Sequence, residues 1–426
     1  MAFETVRVFA GGRTRFGRGA PVISDSSRLF PVQARIAESF WCASSPSWRQ
    51  LSNKAWKYYG GTKRTRNTLN VGNMIIESPL ELIFRDLFYR LSAFAGGHDI
   101  FLKLEGFNVT GSIKVKTAIA LVEDLEQRGL AKPGETVIVE SSSGNLGLAL
   151  SMVCAIKGYE FICVTDPNAT RSAVKSMELY GANVILVEER DRVGGYLGTR
   201  LRKIEQILES NPNALWLNQY ANVANKNAHA DQTAAEIIKE FPVVDWVFVG
   251  SGTTGTLGGV AERLHQEFPG VKVIAVEPAG SVTFGGRPGK RNIPGIGTSV
   301  KPKLAELAKP DRIVAISEQQ TVDACLSFVR DRHLLVGGST GSVLAAVEQF
   351  APEFNEGDTI VAISPDLGEK YLDTVYDPKW VEHYVTATNG NGLRHEPYRS
   401  RQLSVVPRRR AVGAVAAGAR RGAIGE

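Results

Sequence analysis

What the chain lacks narrows its chemistry before any motif is read. No apolar run approaches the roughly 18 residues that would suggest a membrane span. The start has no charged segment, apolar block and small-residue cleavage site of a secretory leader. Cysteine is sparse: Cys42, Cys154, Cys163 and Cys325 are scattered among 426 residues, with no CxxC pair and no metal spacing. That argues against a disulfide scaffold and against a zinc site. Cys154 and Cys163 lie in apolar stretches and read as buried free thiols, in keeping with a reducing cytoplasm. None of the six histidines has a partner at ligand spacing, and no Ser/His/Asp order stands out. Neither GxGxxG nor a P-loop is present, since GRPGK at 286–290 has the wrong spacing and no following Ser/Thr.

A basic body is also absent. The formal net charge is +6, but residues 1–73 hold 12 Lys/Arg against 3 Asp/Glu, and residues 385–426 hold 8 against 2. The stretch between carries 30 basic and 39 acidic residues and is therefore acidic. With no basic helix or aromatic-basic stripe there, a nucleic-acid surface is excluded as the main function. The two ends mix Gly, Ser and Arg without a sustained period, and read as disordered extensions. Met74 directly precedes the first well-patterned segment, so 1–73 also reads as a mis-annotated extension.

What is present is a long alternation of short apolar runs and amphipathic segments. Strands are expected at 100–104, 136–139, 160–164, 184–188, 246–250, 272–277, 313–316 and 359–363. Helices are expected near 112–129, 144–157, 170–181, 194–209, 226–240, 255–268, 319–333, 340–350 and 369–375. Such alternation means α/β architecture, with parallel strands covered by helices on both faces. The pattern divides near 210–222. The expected organisation is two doubly wound parallel-sheet domains with a cleft between them. The large one comprises 74–107 and 217–384, and the small one 108–216. Ligands in such sheets sit at the carboxyl ends of strands.

Several glycine- and serine-rich turns fall at those ends. In residues 103–147 one strand ends in a Gly/Ser turn that carries TGSIK, with Lys114 just inside the next helix, and a second ends in SSSGN. Ser142, Ser143 and Asn145 offer polar groups for a carboxylate or a phenolic oxygen, or they simply cap the helix. GSGTTGTLGG follows the strand WVFV, so Gly252, Thr253, Thr254, Gly255 and Thr256 can direct N–H and O–H groups at one phosphate, or form a plain tight turn. VGGSTGS offers Ser339 to a ring nitrogen or as a cap. Lys114 is a solvated helix-start lysine or an amine that forms a Schiff base. Lys116, two residues on, points to another face.

In this order and spacing, GSIK, SSSGN, GTTGT, GGSTGS and SPDLGEKYLD resemble the fold type II pyridoxal-phosphate enzymes, the cysteine synthase and cystathionine β-synthase superfamily. The resemblance covers roughly 74–384. It implies pyridoxal 5'-phosphate in the cleft between the two domains, with Lys114 as Schiff-base lysine and Asn145 on the pyridoxal 3' oxygen. It further implies Gly252, Thr253, Thr254, Gly255 and Thr256 around the phosphate, and Ser339 at the pyridine nitrogen. Ser142, Ser143 and Asn145 would hold the substrate carboxylate. Asp366 lies near the ring in this superfamily and competes with Ser339. A neutral partner at the ring nitrogen favours β-elimination over transamination.

Within the superfamily, GGYLGTR, WLNQYAN, EPAGSVTFGGRP, NIPGIGTS and SPDLGEKYLDTVYDPKW are similar to the N-(2-amino-2-carboxyethyl)-L-glutamate synthases of 2,3-diaminopropionate, siderophore and peptide-antibiotic pathways. That likeness implies β-replacement on O-phospho-L-serine, with L-glutamate as nucleophile, in a cytoplasmic homodimer whose partners are small-molecule amino-acid substrates. Arg200 and Tyr220 are the candidates for glutamate's extra carboxylate. TGSIKVK departs from the usual GGSxKDR, placing Lys116 where arginine is common. A sulfur-using cysteine or cystathionine synthase and a non-catalytic cofactor-binding scaffold are the competing readings.

Overall fold

The computed structural model describes residues 76, 78–191 and 195–386. Cys42, the whole of the basic segment 1–73 and the tail beyond 386 lie outside them. Ten strands build two sheets among these residues. Strands β1 (Phe88–Ala95), β2 (His98–Leu104), β7 (Trp246–Gly250), β8 (Lys272–Pro278), β9 (Arg312–Ile316) and β10 (Ile360–Ser364) form the larger, in the order β1-β2-β10-β7-β8-β9. Strands β3 (Val137–Ser141), β4 (Glu160–Thr165), β5 (Asn183–Leu186) and β6 (Ala214–Trp216) form the smaller, in the order β5-β4-β3-β6.

The central strands β3, β4, β7, β8 and β10 are buried on both faces, which is why they read as unbroken apolar runs. Trp246 and Phe248 of β7 enter one core with Ile274, Val276, Ile360 and Ala362, while Val247 and Val249 enter another with Val273, Ala275, Val361 and Ile363. In the smaller sheet Ile138, Phe161 and Cys163 face one way, and Val139, Ile162 and Val164 the other. Each fully buried side chain of this kind contributes about 1.5–3 kcal/mol. Cys154, Cys163 and Cys325 are buried free thiols, and burial pushes each up to about 12.

Helices α1 (Lys114–Gln127), α2 (Asn145–Lys157), α3 (Arg171–Leu179), α4 (Leu197–Ser210), α5 (Val223–Ala228), α6 (Ala235–Glu240), α7 (Gly255–Glu267), α8 (Glu318–Arg332), α9 (Gly338–Phe350) and the short α10 (Pro378–Val381) connect the strands. Between α5 and α6 a widened π-helical turn, His229–Ala234, joins the two without leaving the helical conformation. The α8 start carries a capping box, with Ser317 accepting from Gln320 N and Gln320 returning to Ser317 N. No helix among the described residues is long and apolar enough to cross a membrane.

Three expectations are corrected. The larger sheet is not wholly parallel, because β1 pairs antiparallel with β2. The two-residue connection Gly96–Gly97, both at positive φ, allows only a hairpin. β1 itself escaped the pattern because as an edge strand it keeps most side chains half-exposed. The expected helix at 369–375 is only a 3-10 turn, Gly368–Tyr371, which carries Lys370 and Tyr371 onto the cavity wall. β6, three residues long, lies inside the stretch read as a divider.

Candidate active site

The carboxyl ends of β3, β7 and β10, with the segments that follow β2, β4, β6 and β8, converge on one cavity of about 390 Å³, a size that suits a small ligand. Lys114, Ser142, Ser143, Asn145, Arg200, Tyr220, Gly252, Thr253, Thr254, Thr256 and Ser339 all line it. Gly255 does not. It is buried behind the turn, where a side chain would overlap the amide of Asn225.

Lys114 opens α1, its backbone N–H donating to Ser112 Oγ at 3.3 Å. The residue is half-buried and lines the cavity, and the surrounding protein desolvates its amine. That desolvation lowers its pKa against the opposing pull of Asp366. Across the cavity Asn145, first residue of α2, is held at both ends. Its Nδ2 donates to Asp366 Oδ2 at 2.7 Å, and its Oδ1 accepts from Lys370 Nζ at 2.7 Å. Lys370 also donates to the carbonyls of Thr110 and Gly111, at 3.0 and 3.1 Å, so it ties the β2–α1 loop to the start of α2. Asp366 Oδ2 takes a further short hydrogen bond from the Tyr371 hydroxyl, while Oδ1 is buried with no hydrogen-bond partner. It packs against Gly337, at the entrance of α9, where any side chain would overlap it. Burial raises the Asp366 pKa, with Tyr371 and Asn145 pulling against it.

Ser142 Oγ accepts from the N–H groups of Gly144, at 3.3 Å, and Gly147, at 2.9 Å. It therefore caps α2 and still has one proton to direct elsewhere. Ser339 is the second residue of α9 and is nearly buried. At α7 the cradle turn holds Thr254 at φ 66°, a conformation unusual for a β-branched residue, and strain of this kind clusters at ligand clamps.

The remaining wall belongs to the smaller sheet. Arg200, on α4, is buried, and its Nε lies 3.3 Å from Asp166 Oδ2 at the end of β4. Tyr220 lines the cavity beside it; burial raises its pKa and Arg200 opposes that rise. Behind both, Glu140 accepts from Ser141 N at 2.7 Å, Gln219 N at 3.0 Å and Trp216 Nε1 at 3.2 Å. Burial still pushes its carboxyl up to about 7.

A lysine amine with a lowered pKa, hydroxyls and N–H groups at a helix start, and an amide locked in one orientation suit a phosphorylated carbonyl compound. The comparison with known sequences agrees. Residues 87–366 match the family model described as pyridoxal-phosphate dependent enzyme. The chain belongs to that family. Among solved structures it is similar to O-ureido-L-serine synthase, at 32% identity over 71% of this chain and 96% of that one, with a TM-score of 0.65. It is also similar to the O-acetylserine dependent cystathionine beta-synthase of Helicobacter pylori, at 28% identity over 71% and 98%, with a TM-score of 0.66. A third similar structure is a hydrogen sulfide-producing enzyme of Fusobacterium nucleatum, at 31% identity over 70% and 100%, with a TM-score of 0.65.

As a pyridoxal-phosphate enzyme the chain keeps several residues at and behind the cavity that its motifs alone do not single out. On the wall, Lys370 and Tyr371 lie inside SPDLGEKYLD, a motif read as a whole and not residue by residue. Behind it, Glu140, within β3, and Asp166, just after β4, are hidden because each sits at the edge of an apolar run and looks like an ordinary boundary residue.

Proposed function

We propose that this chain catalyses β-replacement on O-phospho-L-serine, with the α-amine of L-glutamate as nucleophile. The C–N bond forms at Cβ as the C–O bond breaks, phosphate leaves with the bonding pair, and the amine loses a proton. The product is N-(2-amino-2-carboxyethyl)-L-glutamate. The observation that carries this reading is the wall of Arg200 and Tyr220, a buried guanidinium and a phenol on the cavity, groups that a substrate with extra negative charge needs and sulfide does not.

Pyridoxal phosphate, when bound, supplies the electron sink that acidifies the α-proton of an amino acid. Lys114 would hold it, and the lowered pKa of the amine would leave more of it as free base to take up that α-proton and to return it to the same carbon once the C–N bond has formed. Gly252, Thr253, Thr254 and Thr256 would hold its phosphate, with the α7 dipole behind them. Asn145, fixed by Lys370 and Asp366, would meet its phenolic oxygen. Ser339 would meet its ring nitrogen, since Asp366 Oδ2 is already bonded to Asn145 and Tyr371. Ser142, Ser143 and the N–H groups opening α2 receive the substrate carboxylate.

The test adds O-phospho-L-serine and then L-glutamate to purified enzyme, following phosphate and the mass of the product. Glutamate-dependent phosphate release with the coupled product supports the reading. One observation favours a sulfur nucleophile instead: Asp166 already balances the Arg200 charge. Turnover with sulfide or homocysteine, and none with glutamate, would establish that second reading.

A further inference from the structure

The cradle hydroxyls are wired from behind by two residues that do not line the cavity, Asn225 on α5 and His229 in the π-helical turn. Asn225 Nδ2 donates to the carbonyl of Gln219 at 2.8 Å and to Thr253 Oγ1 at 3.1 Å. A carbonyl only accepts, so the amide has one orientation and Oδ1 faces Thr117, whose hydroxyl donates to it at 3.2 Å. Thr117 has one proton, and it is used there. His229 Nε2, 3.0 Å from Thr117 Oγ1, must then be the donor to that hydroxyl.

The ring is neutral. Burial first, then the charges of Lys114 and Lys116, hold its pKa well below the ordinary histidine range. Its single proton is thus on Nε2, leaving Nδ1 bare to accept from the Thr233 hydroxyl at 3.0 Å. The same Nε2–H reaches Thr256 Oγ1 at 3.2 Å. Thr253 and Thr256 therefore both accept from behind, and each keeps its own proton. Thr254 differs, since its hydroxyl donates to the Thr253 carbonyl at 2.6 Å.

We propose that Asn225 and His229 are positioning residues that give this network one polarity, so that the hydroxyl protons of Thr253 and Thr256 point as donors at the phosphate of the bound cofactor. With the opposite polarity those hydroxyls would present lone pairs to an anion. The inference rests on the reading of 252–256 as a phosphate cradle. It goes further by naming what sets the cradle's direction.

Two measurements test it on the full-length protein. In ¹⁵N-histidine-labelled protein, the resonances lost in His229→Gln identify this ring. Hydrogen on Nε2 with a bare Nδ1 is the expected result, and the reverse tautomer overturns the proposal. The second is the ratio of affinities for pyridoxal phosphate and for pyridoxal, read by quenching of protein fluorescence. His229→Gln, whose amide can still donate to both threonines, keeps the wild-type ratio within about twofold. His229→Leu lowers it about tenfold, the size of one charge-assisted hydrogen bond. A purely structural role would weaken both ligands alike and leave the ratio unchanged, which also overturns the proposal. The double variant Thr253→Val/Thr256→Val separates the two levels. If it spares the ratio, the cradle reading itself fails; if it lowers the ratio while His229→Leu does not, only the wiring fails.

Discussion

Directly beneath the helix that begins at Lys114 lies a closed ring of four charges, and its removal one member at a time should be severe. Lys116 Nζ sits 3.0 Å from Glu105 Oε1 and 2.7 Å from Glu236 Oε2, while Lys103 Nζ sits 3.2 and 2.7 Å from the same two atoms. All four side chains are at most 6% exposed. Lys103 also donates to the Arg85 carbonyl, and Glu105 accepts from Asn108, so few polar atoms are left over. Burial alone would raise the Glu105 pKa, but Lys116 and Lys103 outweigh it and leave the carboxyl below its ordinary value. Lys116→Met removes one cation and strands a net negative charge in the core. The expected loss is about 3–5 kcal/mol of unfolding free energy. Adding Glu236→Gln restores balance around the surviving Lys103–Glu105 pair, so the double variant should be more stable than Lys116→Met alone. Urea unfolding of the cofactor-free protein, followed by far-UV circular dichroism, measures the wild type, Lys116→Met, Glu236→Gln and the double variant without a ligand contribution. A Lys116→Met loss below about 1 kcal/mol, or a double variant whose loss equals the sum of the singles, would refute the idea that the ring acts as a unit.

Four further outcomes follow from the same geometry. Glu140 binds its proton more tightly folded than unfolded, so its stabilising effect is full below the ordinary carboxylate range and disappears as pH rises through about 7. Between pH 5 and 8 the wild type should lose about 2.5 kcal/mol relative to Glu140→Gln; parallel stability curves would contradict it. Lys114→Ala should abolish turnover and the visible absorption of the lysine-bound cofactor, and absorption that survives at the wild-type wavelength assigns the linkage elsewhere. Arg200→Ala should raise the KM for glutamate about tenfold or more while leaving the KM for O-phospho-L-serine nearly unchanged, in steady-state phosphate-release assays; an equal effect on both substrates places Arg200 at the leaving group instead. Gly255→Ala forces a methyl group into the Asn225 amide, which three hydrogen bonds hold in place, so the unfolding midpoint should fall; an unchanged midpoint would mean that the amide can move aside freely.

The parts of this molecule that were legible in its sequence are those whose signal is local. Strands such as WVFVG and the glycine-serine turns after them announce themselves because burial on both faces removes alternation, and because a turn into a helix needs small, hydrogen-bonding residues. Every cavity residue expected from the sequence except Gly255 lies on one wall or another for that reason. What stayed hidden was relational. His229 looked like an isolated histidine because its partners, Thr117 and Thr256, are 112 and 27 residues away. Lys116 looked like a substituted arginine on an indifferent helix face, yet Glu236, 120 residues on, makes it part of a buried ring. Lys370 reaches Asn145 across 225 residues. Each of these is a polar side chain whose meaning is supplied by a second polar side chain from another element, and no period of 2 or 3.6 carries that information. The same consideration explains Gly255. Its turn motif is local and was read as ligand chemistry, but the absence of a side chain there is dictated by Asn225, thirty residues earlier, whose amide has to lie against the turn for its Nδ2 to reach Thr253.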